Sequence, residues 1–336
     1  MVIGGKHNMK NYKLIPLLAM TAILAGCGVN KGAKAPKFAK LGEEISADEL
    51  TEVVNSTDFL GGWTNPEAET PSAKFVEKTS AQANEKIYSN KKVLQTLTYK
   101  ESTETSFEVD MTNRRGKYNY VFESEENTKN SLGTSKNSSK DVTNSIYQFC
   151  NSSHTGEEGE YLIRADLDSK FFALMSGDVS TYADEDKLQV FFDQVLSQTD
   201  FAYPYEFMTF PSYYPGLSYE KQREYKLYKN NSIYTIVVEG DYTMPEYDPS
   251  HNLINTRRNK STVKMQIDVT EGSTYKFVIS REIDYRVDYF ENTFIGDQII
   301  RAGDYAEGKE VYYRQVNVTV GEVKLEAIDI SEYKLG

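Results

Sequence analysis

The sequence is poor in the residues on which several common classes of protein depend. Its 336 residues include two cysteines, one tryptophan, nine prolines and three histidines. Two cysteines cannot form the multiple cross-links of a disulfide-rich secreted domain. The net charge is −12 and no segment is dense in lysine or arginine, which argues against nucleic acid as a partner because phosphates are bound by basic surfaces.

Motifs that carry chemistry are also scarce. The chain has no G-x-S-x-G nucleophile motif, no glycine-rich phosphate loop and no Cys/His spacing typical of a metal site. A run of acids between Glu239 and His251 lacks the D-x-D-x-D-G spacing of a calcium loop, and we interpret it as solvated. The sequence leaves open a glycoside hydrolase that uses a pair of carboxylates, since its fifty acidic residues supply many pairs. We expect a protein that is not an enzyme and has no cofactor or metal.

The first 27 residues have the three parts of a secretory signal. Lys10 and Lys13 precede an apolar run at residues 14–24, and two small residues then lead to Cys27. The run has 11 residues, fewer than the roughly 20 that span a bilayer. Residues 24–27, Leu-Ala-Gly-Cys, resemble the lipobox of bacterial lipoproteins, in which the cysteine receives a diacylglycerol and the bond before it is cut. The alternatives are an uncleaved anchor and a plain signal with a chance cysteine.

This resemblance implies a domain organisation and a location. Residues 1–26 are expected to be a lipoprotein signal peptide, residues 27–44 a lipidated flexible tether and residues 45–336 a single β-rich globular domain. The tether contains four lysines and no acid before Glu43. Each lysine near anionic lipid contributes about 1 kcal/mol, although a merely solvated linker fits equally well. The expected location is the outer face of the cell membrane, with the lipid on Cys27 as the anchor.

Alternating residues predict that most of the body is β-sheet. The 25 tyrosines and 16 phenylalanines favour strands. Apolar and polar residues alternate on both sides of a turn at residues 113–116, which predicts a hairpin. The same alternation recurs at residues 263–269 and 275–289. The last run would extend about 50 Å, two to three times a usual strand, so it must bend or curl. The predicted fold class is α+β: a curved, mainly antiparallel β-sheet, an incomplete barrel, covered by a few helices.

Three helices are predicted. The first begins near Ser46, which can cap it, while Glu49 three residues later can complete a capping box. The second is predicted at residues 73–89. The third, at residues 184–198, has the apolar spacing of an amphipathic helix and acids in its first turn.

Two further segments are predicted to be irregular. Residues 127–144 are polar with few apolar side chains, which is typical of a mobile loop. Residues 203–219 combine seven aromatic residues with three prolines, and we interpret them as a packed loop or as the rim of a ligand site.

The end of the chain resembles a known group of lipoproteins. Residues 316–325, followed by residues 328–333, are similar to the closing hairpin and tail of the lipoprotein-carrier family and the mycobacterial glycolipid carriers. In those families a curved incomplete barrel surrounds an apolar cavity that holds acyl chains. The alternation places five residues on one concave face, and the resemblance makes that face a candidate site for an amphiphile: Tyr275, Phe277, Ile283, Tyr285 and Val287.

Two functions are consistent with the sequence. The first is a membrane-anchored lipoprotein that binds or carries a lipid or another amphiphile. The alternative is a surface module that binds a protein or a glycan and has no interior site. A large apolar cavity would favour the first, and an interior filled by the chain's own tyrosines and phenylalanines would favour the second.

Overall fold

The computed structural model describes residues 36–56, 72–110, 112–151, 160–176, 224–269, 274–295, 298–321 and 323–335. The predicted signal peptide with Cys27, the predicted helix at residues 184–198 and the aromatic segment at residues 203–219 lie outside these ranges. Within the described ranges, none of the helices has the length and apolarity to cross a bilayer.

The described residues form one α-helix, fifteen strands and a short 3₁₀ helix at Ile330–Glu332. The helix, α1, spans Ala47–Ser56. The strands are β1 Glu43–Glu44, β2 Ser72–Ser89, β3 Lys92–Asp110, β4 Arg115–Asn130, β5 Gly133–Asn151, β6 Glu160–Asp166, β7 Phe171–Ser176, β8 Glu224–Asn230, β9 Ile233–Tyr247, β10 Leu253–Asp268, β11 Thr274–Tyr289, β12 Thr293–Ile295, β13 Gln298–Ile300, β14 Tyr305–Val320 and β15 Lys334–Leu335.

Thirteen strands form one sheet in the order β1-β8-β9-β10-β11-β14-β2-β3-β4-β5-β6-β7-β15, and β12 pairs with β13 separately. Every pairing is antiparallel except that of β15 with β7. The sheet is open and does not close on itself. The predicted fold class, a curved and mainly antiparallel sheet with few helices, is therefore confirmed.

One face of the sheet, the inner face, carries two apolar clusters near opposite ends of the long strands. The first cluster is covered by α1 through Leu50 and comprises Leu50, Ala73, Phe75, Phe107, Val109, Tyr147, Leu227, Tyr234, Ile236, Val238, Val263, Met265, Ile267, Phe277, Ile279, Val316 and Val318. The second cluster is covered by the β12–β13 hairpin through Ile300 and comprises Ile87, Ile283, Tyr285, Val287, Tyr289, Ile300 and Ala306.

The other face, the outer face, is polar and carries ion pairs between neighbouring strands. Examples are Lys78 with Glu104, Lys140 with Glu123 and Lys309 with Glu282, at 2.7–2.8 Å. Such exposed pairs contribute about 0–1 kcal/mol each, so their main effect is to keep this face solvated. The apolar interior thus lies on the inner face.

Helix α1 begins where the capping pattern predicts. The Ser46 hydroxyl oxygen accepts the Glu49 backbone N–H at 3.2 Å, and Leu50 is buried in the first cluster. The Glu49 carboxylate accepts a hydrogen bond from Lys229 at 2.9 Å, which ties the helix to β8.

Residues 36–44, the last part of the predicted tether, are in contact with the sheet. The Ala39 backbone N–H donates to the Gln266 side chain at 2.7 Å on the outer face of β10. The Lys40 carbonyl accepts from Asn230, and the Ile45 N–H donates to the Leu227 carbonyl. The segment therefore passes from the outer face around the β8 edge and enters the inner side as α1.

The prediction of a helix at residues 73–89 is wrong, because this segment is strand β2. Its alanine, glutamate, lysine and glutamine residues favour helix, which produced the prediction. The structure instead pairs β2 with β14 on one side and β3 on the other, and buries Ala73, Phe75 and Ile87 with period two. Two hydrogen-bonded ladders outweigh the local propensity.

The prediction of a mobile loop at residues 127–144 is also wrong. These residues form the end of β4, a turn and most of β5, with Asn130 paired to Gly133 across the turn. Gly133 has φ 139°, a conformation that glycine adopts without strain. The segment lacks apolar residues because neither of its faces contacts an apolar cluster.

The predicted closing hairpin at residues 316–325 is not formed. Strand β14 ends at Val320, and Gly321 turns the chain with φ 90°. The tail then crosses the outer face, where the Leu325 N–H donates to Asp110 at 2.8 Å and the Ile328 N–H donates to Gln148. Side chains of the outer face satisfy the tail backbone in place of a partner strand.

Candidate functional site

The structure places the predicted ligand-binding residues in strand β11. Phe277, Ile283, Tyr285 and Val287 lie on the inner face with 0%, 9%, 7% and 7% of their surface exposed. The prediction that they share one buried face is confirmed. Only the backbone of Tyr275 is described, and it pairs with Val318.

These side chains are part of two different clusters and are packed by other residues of the chain. Phe277 belongs to the first cluster, and the other three belong to the second. Ile87, Ile300 and Ala306 fill the space beside them. The role of these residues in binding a ligand stays a prediction, while their role in the core is evident from their packing.

Tyr285 crosses the inner face and links two strands that are not neighbours. Its hydroxyl donates to the Glu85 carboxylate at 2.7 Å, reaching from β11 over β14 to β2. The strand between them has Gly308 at this level, paired with Tyr285 on one side and with Glu85 on the other. A Cβ atom at Gly308 would lie 2.4 Å from the Tyr285 ring, so only glycine leaves room for this contact.

Arg257 completes a polar network around Tyr285. Its guanidinium donates to the Glu310 carboxylate at 2.7 Å and to the Asn259 side chain at 2.8 Å. The guanidinium carbon lies 4.1 Å from the centre of the Tyr285 ring. This arrangement combines an ion pair, an amide hydrogen bond and a cation–π contact at one arginine.

The network shifts the ionisation of its members. Burial raises the pKa of Glu85 above its ordinary value, although the Tyr285 hydrogen bond and the nearby Arg257 act in the opposite direction. Burial, together with the adjacent Glu85, also raises the pKa of the Tyr285 hydroxyl. The hydroxyl therefore stays protonated at neutral pH and is a permanent donor to Glu85.

A second buried ion pair lies at the edge of the first cluster. Arg314 donates to the Glu77 carboxylate, and both side chains are buried. The guanidinium carbon of Arg314 lies 5.9 Å from the centre of the Phe277 ring. Charged groups thus separate the first cluster from the second, and the inner face is not continuously apolar.

The inner side of strands β3–β5 has a different character, with aromatic and acidic side chains that are half-buried, apart from the exposed Asp141. We call this surface the aromatic–acidic face, and it comprises Tyr99, Glu101, Tyr120, Phe122, Glu126 and Asp141. Cross-strand pairing places Tyr99 opposite Glu126 and Phe122 opposite Asp141.

Each tyrosine of this face interacts with two of its acids. The Tyr99 hydroxyl donates to the Glu101 carboxylate at 2.5 Å. Burial, followed by Glu101 and Glu126, raises the pKa of Tyr99. Burial, followed by Asp141 and Glu101, raises the pKa of Tyr120. Tyr99 is thus within electrostatic reach of Glu101 and Glu126, and Tyr120 is within reach of Asp141 and Glu101.

The aromatic–acidic face was not among the predicted sites. The hairpin that carries Tyr120 and Phe122 was predicted, but Glu126 was expected to neighbour a loop and Asp141 to lie in it. The sequence of β4 and β5 did contain a signal for this face, because its lysines occupy positions that alternate with those of the inward acids and aromatic rings. Lys117, Lys136 and Lys140 all occupy outward positions.

Comparisons with known proteins provide little guidance. No family model matches the chain, and no curated protein matches it. Solved structures that resemble it include the outer membrane protease OmpT from Escherichia coli, at 9% identity and a TM-score of 0.23, covering 76% of this chain and 99% of that one. The transport unit of the autotransporter AIDA-I from Escherichia coli matches at 8% identity and a TM-score of 0.21, covering 81% and 96%. These likenesses are too weak to carry an argument about fold or function.

The described residues also contain no group of three or more histidine, cysteine, aspartate or glutamate side chains placed to hold a metal ion. Near the acidic run between Glu239 and His251, Asp248 accepts the backbone N–H groups of Ser250 and Asn252 at 2.8 Å. This is the local hydrogen bonding of a turn.

Proposed function

We propose that this chain is a lipoprotein of the bacterial cell envelope whose β-rich body is an interaction module. In this proposal the lipid on Cys27 holds the protein at the outer face of the membrane. The body binds its partner through exposed parts of the sheet, has no enzymatic activity and has no enclosed apolar chamber.

The observation that carries the proposal is the position of Tyr285. Its ring lies across Gly308, its hydroxyl binds Glu85 and its face is covered by Arg257. The aromatic side chain expected to line an acyl cavity therefore fills the interior itself. This supports the interaction module over the carrier.

Membrane attachment is tested by the variant Cys27→Ser. The apolar run of the signal is too short to span a bilayer, so attachment depends on the lipid, and the variant should leave the membrane fraction. The measurement is fractionation of expressing cells followed by a high-salt wash. Cys150→Ser is the matched control and should stay with the membrane. Retention of Cys27→Ser in the salt-washed pellet would contradict the anchor.

The absence of an interior lipid site is tested by titration with a fluorescent fatty acid. The full-length protein in detergent micelles should take up none above the uptake of micelles alone. Saturable uptake that is lost in Ile283→Trp, with the fold retained, would instead establish the amphiphile carrier.

The carrier remains the second candidate because of one feature of the second cluster. Its inner side is covered by a hairpin of two three-residue strands, β12 and β13, through Ile300 and the partly buried Ile295. Displacement of this hairpin would uncover Ile283, Val287 and Tyr289, which is the kind of movement by which a carrier would admit a ligand.

A further inference from the structure

We propose that one end of the large sheet docks on the lipid bilayer that holds the anchor. At this end, which we call the lower end, β2 joins β3, β4 joins β5, β9 joins β10 and β11 leads to β14. The inference rests on the proposed lipid anchor and adds a second contact, made by the folded body itself. It is carried by the exposed apolar side chains of these four connections and by the course of the tether.

Exposed apolar side chains are concentrated at the lower end. Of the eleven large hydrophobic side chains that are exposed in the described part of the chain, seven belong to its four connections. Val93 follows the β2–β3 turn, and Leu132 lies in the β4–β5 turn with 77% of its surface exposed. Tyr247 and Leu253 flank the β9–β10 turn. The described turns of the opposite end, residues 112–114 and 231–232, are polar.

The β12–β13 hairpin, between β11 and β14, presents an apolar pair to solvent. Its Ile300 faces the second cluster and is fully buried. Phe294 and Ile299 lie directly opposite each other on the two strands, with 72% and 53% of their surface exposed. The hairpin is thus apolar on the side that covers the core and also on the side that faces water. An exposed apolar surface of this kind indicates a contact with another molecule or with a membrane.

The arrangement of these side chains favours a bilayer over a protein partner. Neighbouring connections are two strands apart, about 10 Å, so the apolar side chains sit on separate turns across eight adjacent strands. A protein would need a matching depression for each turn, whereas a fluid lipid interface accommodates each turn separately. Tyrosine, phenylalanine and leucine are side chains that settle at this interface.

The charge of the lower end is compatible with a lipid surface. Residues 89–93, 129–134, 246–253 and 290–304 contain four basic and five acidic residues, in a chain whose net charge is −12. The charges of these segments therefore nearly cancel, and anionic lipid repels them much less than it repels the body as a whole. The contact would then depend on apolar burial and not on charge.

The tether reaches the sheet from the direction of the lower end. One residue before its bond to Gln266, the Phe38 ring lies 4.6 Å from the Lys264 ammonium, two residues nearer to the lower end of β10. Eleven residues separate Phe38 from Cys27, and a fully extended chain of this length spans about 36–40 Å. Eleven residues of β10 also separate Lys264 from Leu253, about 36 Å. The lipid on Cys27 can therefore lie in the same bilayer that the lower end touches.

The test is depth-dependent quenching in phosphatidylcholine vesicles that carry the full-length, lipid-anchored protein. A polarity-sensitive fluorophore is attached, in a Cys150→Ser background, through Ser131→Cys or Ser250→Cys at the lower end or through Thr112→Cys at the opposite end. We expect blue-shifted emission and quenching by spin-labelled lipid at the two lower positions, and neither at Thr112. High salt should leave the quenching unchanged, because salt screens charges and not apolar contacts.

The variant Phe294→Thr with Ile299→Thr removes the exposed pair from the hairpin. The matched control, Phe171→Thr with Val142→Thr, removes an exposed phenylalanine and an exposed aliphatic residue elsewhere on the sheet. The ratio of docked to undocked protein should fall about tenfold or more in the first variant and less than about twofold in the control, because only the first loses apolar burial in lipid. Chemical denaturation shows whether each variant folds, and Leu132→Asn replaces the hairpin variant if that variant does not.

Four results would overturn the inference. Lower-end fluorophores that stay in water would show that the body does not dock, and loss of quenching in high salt would make the contact electrostatic. Equal effects of the hairpin variant and its control would make docking a property of total apolar surface. Photo-crosslinking from Phe294 to a second protein in cells, with the fluorophores in water on vesicles, would make the occupant a protein. All four leave the lipid anchor intact, because Cys27→Ser fractionation tests it separately.

Discussion

Replacing Gly308 by alanine puts a methyl group where the Tyr285 side chain lies. The added Cβ would be 2.4 Å from both the Cζ and the hydroxyl oxygen of Tyr285, and 2.7 Å from the Asn84 carbonyl oxygen. These contacts are far shorter than van der Waals separation, and one involves backbone that is fixed by the pairing of β2 and β14. The ring must therefore move, and its hydrogen bond to Glu85 is lost.

The expected cost has two parts. Overpacking a well-packed core costs about 1–3 kcal/mol. Leaving the half-buried Glu85 carboxylate without its donor costs about 1–3 kcal/mol more. Movement of the Tyr285 ring relieves the overpacking but breaks the hydrogen bond to Glu85. The two costs therefore do not add fully. We expect Gly308→Ala to lower the free energy of unfolding by about 3 kcal/mol.

The assay is equilibrium denaturation in guanidinium chloride, with Gly240→Ala as the matched control. A Cβ at Gly240, also on the inner face, would lie 3.1 Å from the Ser261 hydroxyl oxygen and 3.8 Å from the Tyr242 ring. A hydroxyl can rotate away, so this variant should cost less than about 1 kcal/mol. If Gly308→Ala costs no more than Gly240→Ala, Tyr285 does not fill the interior as described.

Two further predictions concern acids of the sheet, the half-buried Glu85 and the buried Asp110. Glu85→Gln should stabilise the protein at neutral pH. Burial raises the pKa of Glu85 above its ordinary value of 4.5, so ionising this carboxyl group lowers the free energy of unfolding. That loss is absent below pH 4.5 and reaches its full size above the folded-state pKa, and the glutamine variant does not suffer it. Denaturation from pH 4 to 8 should show the difference growing with pH, and a constant difference would contradict this. Asp110→Ala should destabilise the protein by about 1–3 kcal/mol, because the Leu325 and Asn113 N–H groups lose their acceptor. It should also speed tryptic cleavage after Lys324, and unchanged cleavage would show that Asp110 does not hold the tail.

The sequence was informative where structure depends on neighbouring residues. Ser46 and Glu49 define the start of α1 through contacts three residues apart, and the structure has the helix there. The hairpin around residues 113–116 and the long strand that ends at Tyr289 follow from alternation alone. In both the hairpin and the long strand, one face is apolar and the other is polar, and this produces the alternation of apolar and polar residues in the sequence.

Structure that depends on distant partners was not predictable in this way. Strand β2 is a strand because β14, more than 200 residues later, pairs with it, as Phe75 opposite Val318 illustrates. Residues 127–144 are strands although both of their faces are polar, so no alternation of apolar residues marks them. The aromatic–acidic face was missed for the same reason, since only the register of β3, β4 and β5 places Glu101 and Asp141 on one face of the sheet.

The central claim, a lipid-anchored protein with a filled interior, is tested most directly by mass spectrometry of protein purified from membranes. The denatured spectrum should give a chain that begins at Cys27 and carries a diacylglycerol. The native spectrum should show no additional bound lipid. A chain that begins before Cys27 without lipid would contradict the anchor, and a stoichiometric non-covalent amphiphile would contradict the filled interior.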